Sequence, residues 1–286
     1  MDLSSASWVP YSRHHWCLNF NNLFIKKCCG KLPQLFLFAM NNLYKTHSEI
    51  YEMMYQTFIN YDEEYAYYSI KLKKYNAQSV FELGCGTGNL ANKFITNGFS
   101  YTGLDLNKAM LDIAERKTPG AEFMEADMRN FSLSEKKQAC IITARSISYL
   151  RAYKDVTDAF HSINKNLQKG GILCFDNIDA AKFIPSIKNG RQIIHKAEFE
   201  GRKFHRESYW SVNESQSWAF NWQSVYFEED AKGGLKKLVE DNSTVRCFTK
   251  DDLCLFLELC NFTVKEIEDR PSYAFDTFVI VAQKNF

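Results

Sequence analysis

Between Ser79 and Ile178 short apolar runs alternate with segments of helical period, and this alternation restricts the fold more than any other feature. "SVFEL" reads as a strand, followed by a glycine-rich turn and a helix over 89–97 that Gly98 closes. "SYTGLD" is a second strand. A helix over 107–117 follows it, with Asn107 as N-cap and Pro119 beyond its end. "AEFMEAD" and "ACIITA" are the third and fourth strands, the latter rich in β-branched residues suited to a buried sheet. A helix over 155–168 presents Val156, Ala159, Phe160, Ile163 and Leu167 on one face, and "GGILCFDNI" is the fifth strand. Strands and helices alternating in this way predict an α/β fold with a doubly wound, parallel sheet. Ligands of such sheets bind at the carboxyl ends of the strands, here Glu82–Gly88, Asp105, Asp127, Ala144–Ser146 and Asp176.

The flanks follow other patterns. Residues 48–75 lack Pro and Gly and carry apolar residues at helical spacing, with a break near Asn60 and Asp62. Period-two alternation runs from about 190 to 248. Turns at Glu200-Gly201, Asn213-Glu214 and Lys232-Gly233-Gly234 divide it, which predicts an inserted antiparallel sheet. A helix over 250–260 follows, capped by Thr249 with Asp252 three positions on, and strands at 262–268 and 275–283 close the chain.

Hydrophobic residues make up 45% of the 286, enough for a sizeable core. The net charge of +1 gives no electrostatic footprint for nucleic acid. Charge is uneven, since residues 1–48 hold five Lys/Arg against Asp2, but five cations over that length are thin support for an RNA or membrane contact. The nine cysteines form no CxxC pair, and no metal site is expected. Reduced thiols in a reducing compartment and a cytoplasmic location are expected. No apolar run reaches the roughly 18–20 residues that span a bilayer. Residues 1–40 read as a poorly ordered extension or leader, and 41–286 as the functional domain.

"VFELGCGTGNL" raises the question of which nucleotide its turn holds. Gly84, Gly86 and Gly88 give GxGxG, and Asn89 stands where the dinucleotide fingerprint needs its last glycine. No GK[ST] follows, which excludes a Walker A loop. Asp105, at the end of the next strand, is placed to take ribose hydroxyls. Glu82 would repel a pyrophosphate but suits an ammonium or sulfonium group; it can equally cap loop amides.

"ELGCGTG", "GLDLNKAML", "EADMRNF" and "LQKGGILCFD", in this order, resemble the successive motifs of class I S-adenosylmethionine-dependent methyltransferases. The resemblance implies a Rossmann-like, mostly parallel seven-stranded sheet and S-adenosylmethionine as cofactor. It implies that the backbone of Gly84, Cys85, Gly86, Thr87 and Gly88 underlies the cofactor. Asp105 would bind the ribose, Leu106 would pack on the adenine, and Asp127 would accept from its amino group beside Met128. Ala144 and Arg145 would edge the methyl group. "IYEMMYQ", "ADMRNFSL", "SISYL" and "TVRCFTKDDLCLFLELCNF" are further similar to small-molecule N-methyltransferases of the amino-sugar N,N-dimethyltransferase and glycine N-methyltransferase kind. In these a tyrosine before the domain closes over the cofactor, and Tyr51 and Tyr55 match that place; packing on one helix face explains them equally.

The implied activity is methyl transfer to a small molecule, at nitrogen, by an enzyme that is free of nucleic acid and membrane and open to homodimerisation. Tyr149 and Arg145 are the leading substrate-lining candidates. Ser146, His195, His205, Tyr209, Trp210, Trp218, Trp222 and Arg246 are weaker ones, each with an ordinary sheet or surface role as its alternative. Two other functions compete: an NAD-dependent dehydrogenase, which Asn89 opposes, and a non-catalytic cofactor-binding protein on the same fold.

Overall fold

The computed structural model describes residues 42–270, 272 and 274–286. The leader expected over 1–40, with Cys17, Cys28 and Cys29, lies outside them. Among the described residues three helices come first: α1 (Asn42–Thr46), α2 (Ser48–Phe58) and α3 (Tyr61–Lys74). The break between the last two falls where the sequence predicts it. The Asn60 side chain accepts from the amides of Asp62 (3.1 Å) and Glu63 (3.3 Å), satisfying orphan donors of α3.

The alternating region forms β1 (Ser79–Leu83), α4 (Ala91–Thr96), β2 (Ser100–Asp105), α5 (Lys108–Lys117), β3 (Glu122–Glu125), β4 (Lys137–Ile142), α6 (Tyr153–Asn166) and β5 (Leu167–Ile178). A short helix, α7 (Ala180–Ser186), leads into the insert. That insert comprises β6 (Arg191–Phe199), β7 (Arg202–Val212), β8 (Ala219–Glu229) and β9 (Leu235–Arg246). The chain closes with α8 (Lys250–Leu259), β10 (Phe262–Asp269) and β11 (Thr277–Lys284).

One sheet has seven strands in the order β10-β11-β5-β4-β1-β2-β3, and the other is the antiparallel meander β6-β7-β8-β9. β1 to β5 run parallel, while β11 is antiparallel to both β5 and β10. β1 lies between β2 and β4, so strand order reverses there and opens a crevice at the carboxyl ends of β1 and β4. Buried residues of α6 and α8 cover one face of the large sheet, and those of α3 and α4 cover the other.

Several local expectations need correction. Asn107 occupies the N-cap of α5 but makes no capping bond, because its side-chain amide donates to Asp105 Oδ1 at 3.3 Å. α6 starts at Tyr153, where Asp155 reaches back to accept from the Ala152 amide. It ends at Asn166, because Leu167 leaves the helix to pair with Lys137 in the sheet. Thr249 and Asp252 form the expected capping box.

Candidate active site

The glycine loop begins where β1 ends. The amides of Gly84 and Cys85 both donate to the Leu104 carbonyl, at 2.8 and 3.0 Å, tying the loop to the end of β2. Gly84 has φ +71°, and a Cβ there would lie 2.6 Å from Ser146 Oγ, so the loop passes directly against the segment after β4. Gly88 has φ +69°, and its Cβ would lie 2.8 Å from Ala114 Cβ of α5. It therefore provides the close helix packing that the dinucleotide fingerprint assigns to a glycine one position later. Asp105 accepts from the amides of Gly86 (3.0 Å) and Asn107 (2.9 Å) and so sets the loop's shape. Beside it Leu106 is 56% exposed, an apolar surface at a strand tip suited to a flat ring.

Glu82 is buried beneath this loop. Tyr101 Oη donates to it at 2.6 Å and Thr143 Oγ1 at 2.7 Å. Burial pushes its carboxyl up to about 7, because the two hydroxyls compensate only part of the lost hydration. Asp127 lies at the tip beyond β3 and is held by Arg129, whose Nε donates at 2.9 Å; that guanidinium keeps its carboxyl below the usual range. Met128 packs partly against the core.

After β4 two consecutive non-glycine residues, Ala144 (φ 53°) and Arg145 (φ 63°), take the left-handed conformation. Such strain persists where the surroundings hold it. Here the buried carboxylate of Asp176 accepts from the Arg145 amide at 2.8 Å, and the Arg145 guanidinium lies 5.0 Å from the Phe275 ring. The turn Ser146–Tyr149 follows and delivers Tyr149, whose hydroxyl shares a 2.9 Å hydrogen bond with that of Tyr44 from α1.

α2 closes the other side. Tyr51 and Tyr55 stack at 4.1 Å, and Tyr44 packs edge-on against Tyr51. Tyr55 is buried and accepts from Arg206 at 2.8 Å, so it joins α2 to the inserted sheet. Its hydroxyl is thereby engaged in packing, the alternative that helix spacing allows.

Sequence reasoning missed Glu52, Gln56 and Arg206. Glu52 accepts from Thr87 Oγ1 and from Lys117, and Gln56 donates to Asn89, so α2 grips the glycine loop from outside. The readable signal was the spacing of Glu52 and Gln56, two polar residues four apart that share one face of the helix. Arg206 is fully buried, on the same face of β7 as Phe204, Ser208 and Trp210. A charge on the apolar face of a period-two segment was its signal.

The weaker candidates scatter. His195 Nδ1 lies 2.8 Å from Arg206, and burial together with that guanidinium lowers its pKa to about 4. His205 faces Glu229 at 3.3 Å. Tyr209 and Trp218 are exposed, whereas Trp210 is wholly buried. Arg246 is buried, not superficial: it donates to the Arg151 carbonyl at 3.1 Å and its guanidinium stacks near Tyr153 and Phe248.

A mostly parallel seven-stranded sheet with this strand reversal and an antiparallel β11, a glycine loop after β1 and acids at consecutive strand tips together make up the fold of class I methyltransferases. Residues 80–171 match the model of a methyltransferase domain. The chain is 34% identical over 101 residues to the putative methyltransferase YqeM of Bacillus subtilis, covering 34% of this chain and 41% of that protein. It is 26% identical over 133 residues to the dTDP-3-amino-3,4,6-trideoxy-alpha-D-glucopyranose N,N-dimethyltransferase of Streptomyces venezuelae, covering 44% of this chain and 55% of that one. The chain thus spans about half the length of the curated relatives it matches. The solved structure of Streptomyces venezuelae DesVI superposes with a TM-score of 0.72 at 21% identity, over 84% of this chain and 98% of that one. CalS10, an amino pentose methyltransferase from Micromonospora echinaspora solved with S-adenosylmethionine bound, gives 0.70 at 21%, over 82% and 97%. These likenesses confirm the fold and give the dehydrogenase reading no support.

Proposed function

We propose that the protein transfers a methyl group from S-adenosylmethionine to a nitrogen of a small molecule. The observation that carries this reading is the pair of buried carboxyls, Glu82 and Asp105, against the glycine loop. A cofactor bearing ammonium and sulfonium charges gains from such surroundings, whereas a pyrophosphate loses. The loop's glycines leave room for a close approach of ligand to backbone, Asp105 matches ribose hydroxyls, and exposed Leu106 matches adenine. When bound, the cofactor supplies a methyl carbon already activated by its sulfonium.

The chain's own residues then align and enclose. Ala144, Arg145 and the turn to Tyr149 form the rim next to the loop, and Tyr44, Tyr51 and Tyr149 form an aromatic wall that keeps water from the reacting centre. An acceptor amine would have to meet that methyl carbon with its lone pair free of a proton, which water could take, and the rim from Ala144 to Tyr149 would set its approach. The relatives named as sugar N,N-dimethyltransferases support nitrogen as the acceptor atom. Among the described residues no helix is long and apolar enough to cross a membrane, and the six described cysteines are free thiols. We place the protein in the cytoplasm on the strength of those thiols.

A metabolite pool incubated with the protein and methyl-labelled cofactor, followed by mass analysis, tests the reaction. A labelled secondary or tertiary amine is the expected product. Cofactor binding without any labelled product would favour a non-catalytic protein, and no cofactor binding would overturn the reading.

A further inference from the structure

β4 and β5 separate at the carboxyl edge of the large sheet. Their last paired residues are Ile142 and Phe175, and β5 runs on to Ile178 while the chain after β4 turns away. Asp176 is therefore the first residue of β5 without a β4 neighbour. Its carboxyl stands in for the missing strand and accepts from the Arg145 amide at 2.8 Å. Among the described residues that is the side chain's one hydrogen bond, although Asp176 is buried. Burial pushes the carboxyl up to about 6, offset in part by the Arg145 guanidinium, and Glu64, Arg270 and Tyr68 are the other titratable groups near it. For packing alone, an apolar side chain of similar volume would serve at least as well as a carboxylate so placed.

The bond holds a turn that the backbone itself resists. Ala144 (φ 53°) and Arg145 (φ 63°) are consecutive left-handed residues, and neither is glycine. The turn's own hydrogen bonds, from the Ser146 amide to Thr143 and from the Ser148 amide to Arg145, close within the segment. They set its shape rather than its place. Ile147 anchors it in the core, which leaves rotation about that anchor to the Asp176 bond. The place of the turn matters on two sides. Toward β1, a Cβ on Gly84 would lie 2.6 Å from Ser146 Oγ, so turn and glycine loop meet with no space to spare. Toward the insert, the turn ends at Tyr149, which bonds Tyr44 and packs against the cluster of Trp210 and Phe220.

We infer that Asp176 is a positioning residue for methyl transfer. It holds the left-handed turn that sets Ser146 against the glycine loop and Tyr149 at the acceptor rim, and it acts from beneath that turn rather than on cofactor or acceptor. A small rotation of the turn would misplace the rim relative to the methyl group while leaving the glycine loop and Asp105 as they are. The loss would fall on the transfer step, which depends on alignment, and not on cofactor binding. This rests on the methyltransferase reading for its kinetic consequence but not for the turn.

Hydrogen exchange followed by NMR gives the first reading, on the wild type. The Arg145 amide should exchange as slowly as the amides of β4, and fast exchange there would overturn the inference. In Asp176→Ala the amides of Arg145 to Tyr149 should exchange about tenfold faster with β4 unchanged, as for one lost hydrogen bond. Asp176→Asn keeps an oxygen that can accept the amide and should stay near wild type. Label transfer is then measured with a fixed metabolite extract against the concentration of methyl-labelled S-adenosylmethionine. Asp176→Ala should lower the maximal rate about tenfold to a hundredfold, with KM for the cofactor and affinity for S-adenosylhomocysteine within about threefold of wild type. Asp176→Asn should recover most of the rate, which separates the lost hydrogen bond from a lost charge. If Asp176→Ala does not fold, Asp176→Leu, similar in shape but without an acceptor, is measured instead. An unchanged rate in the variant without an acceptor, a rate equally low in Asp176→Asn, or cofactor affinity lost in step with rate would sink the inference. A wild type that transfers no label sinks the proposed function, whereas an active wild type matched by Asp176→Ala sinks this inference alone.

Discussion

At the tip of β1, Glu82 meets two hydroxyl donors and little water, and its carboxyl titrates near 7 rather than at its ordinary 4.5. The native state therefore holds a proton that the unfolded chain releases. The resulting stabilisation is complete below about pH 4.5 and is lost as pH rises through about 7. It amounts to about 3 kcal/mol at most, from the size of the shift. A cationic cofactor beside it favours the ionised form, so binding must expel that proton below neutrality. Calorimetry in buffers of different ionisation enthalpy should show proton release at pH 6 and none at pH 8.5, with affinity rising between them. Glu82→Gln should flatten both trends. Asp105 acts differently, because Gly86 and Asn107 amides already point at it. Asp105→Ala should loosen the loop and remove the ribose contact together. A loss of cofactor affinity of about tenfold or more is expected for one charge-assisted contact, read by equilibrium dialysis.

The grip of α2 on the loop is the feature that links elements. Glu52 and Gln56 hold Thr87 and Asn89, while Asn60 ends that helix's territory by capping α3. Glu52→Ala should speed hydrogen exchange at the amides of Gly86 to Asn89 while leaving β1 protected. Asn60→Ala should cost about 1 kcal/mol of stability with cofactor affinity unchanged, which denaturant unfolding combined with binding would show. Most elements were legible in the sequence because their cause is local. "SVFEL" and "ACIITA" carry the side chains that a buried strand needs, and Thr249 with Asp252 is a capping box that forms from four residues alone. The failures arise where a distant partner decides. Asn107 was drawn from its cap by Asp105, and Leu167 from its helix by Lys137. The meeting of Glu82, Asp105 and Ala144 was readable because they lie on one continuous run of strand tips. The cluster around Tyr149 joins α1, α2, the Ser146–Tyr149 turn and the inserted sheet, and no spacing along the chain reports that meeting.

Across the whole molecule the two halves of the site rest on different sheets. The residues proposed to hold the cofactor stand at the ends of β1 and β2 and just beyond β3 and β4, whereas the aromatic cluster against which Tyr149 packs belongs to the inserted meander. One connection between the sheets is α7, which leaves β5 and sets Phe183 among Trp210, Phe220 and Phe275, at 5.3, 5.0 and 5.1 Å. Phe183 is fully buried, so Phe183→Ala should leave a cavity and cost about 3–5 kcal/mol, within the range of core phenylalanine truncations. Its functional effect should be one-sided. The cluster it supports includes Trp210, Trp222 and Tyr149 of the proposed acceptor rim, but no residue of the glycine loop. At a temperature where the variant remains folded, S-adenosylhomocysteine should bind with wild-type affinity while labelled-methyl transfer in the metabolite-pool assay slows. Equal weakening of both would mean that the inserted sheet helps shape the cofactor crevice, and that the two halves of the site are one mechanical unit.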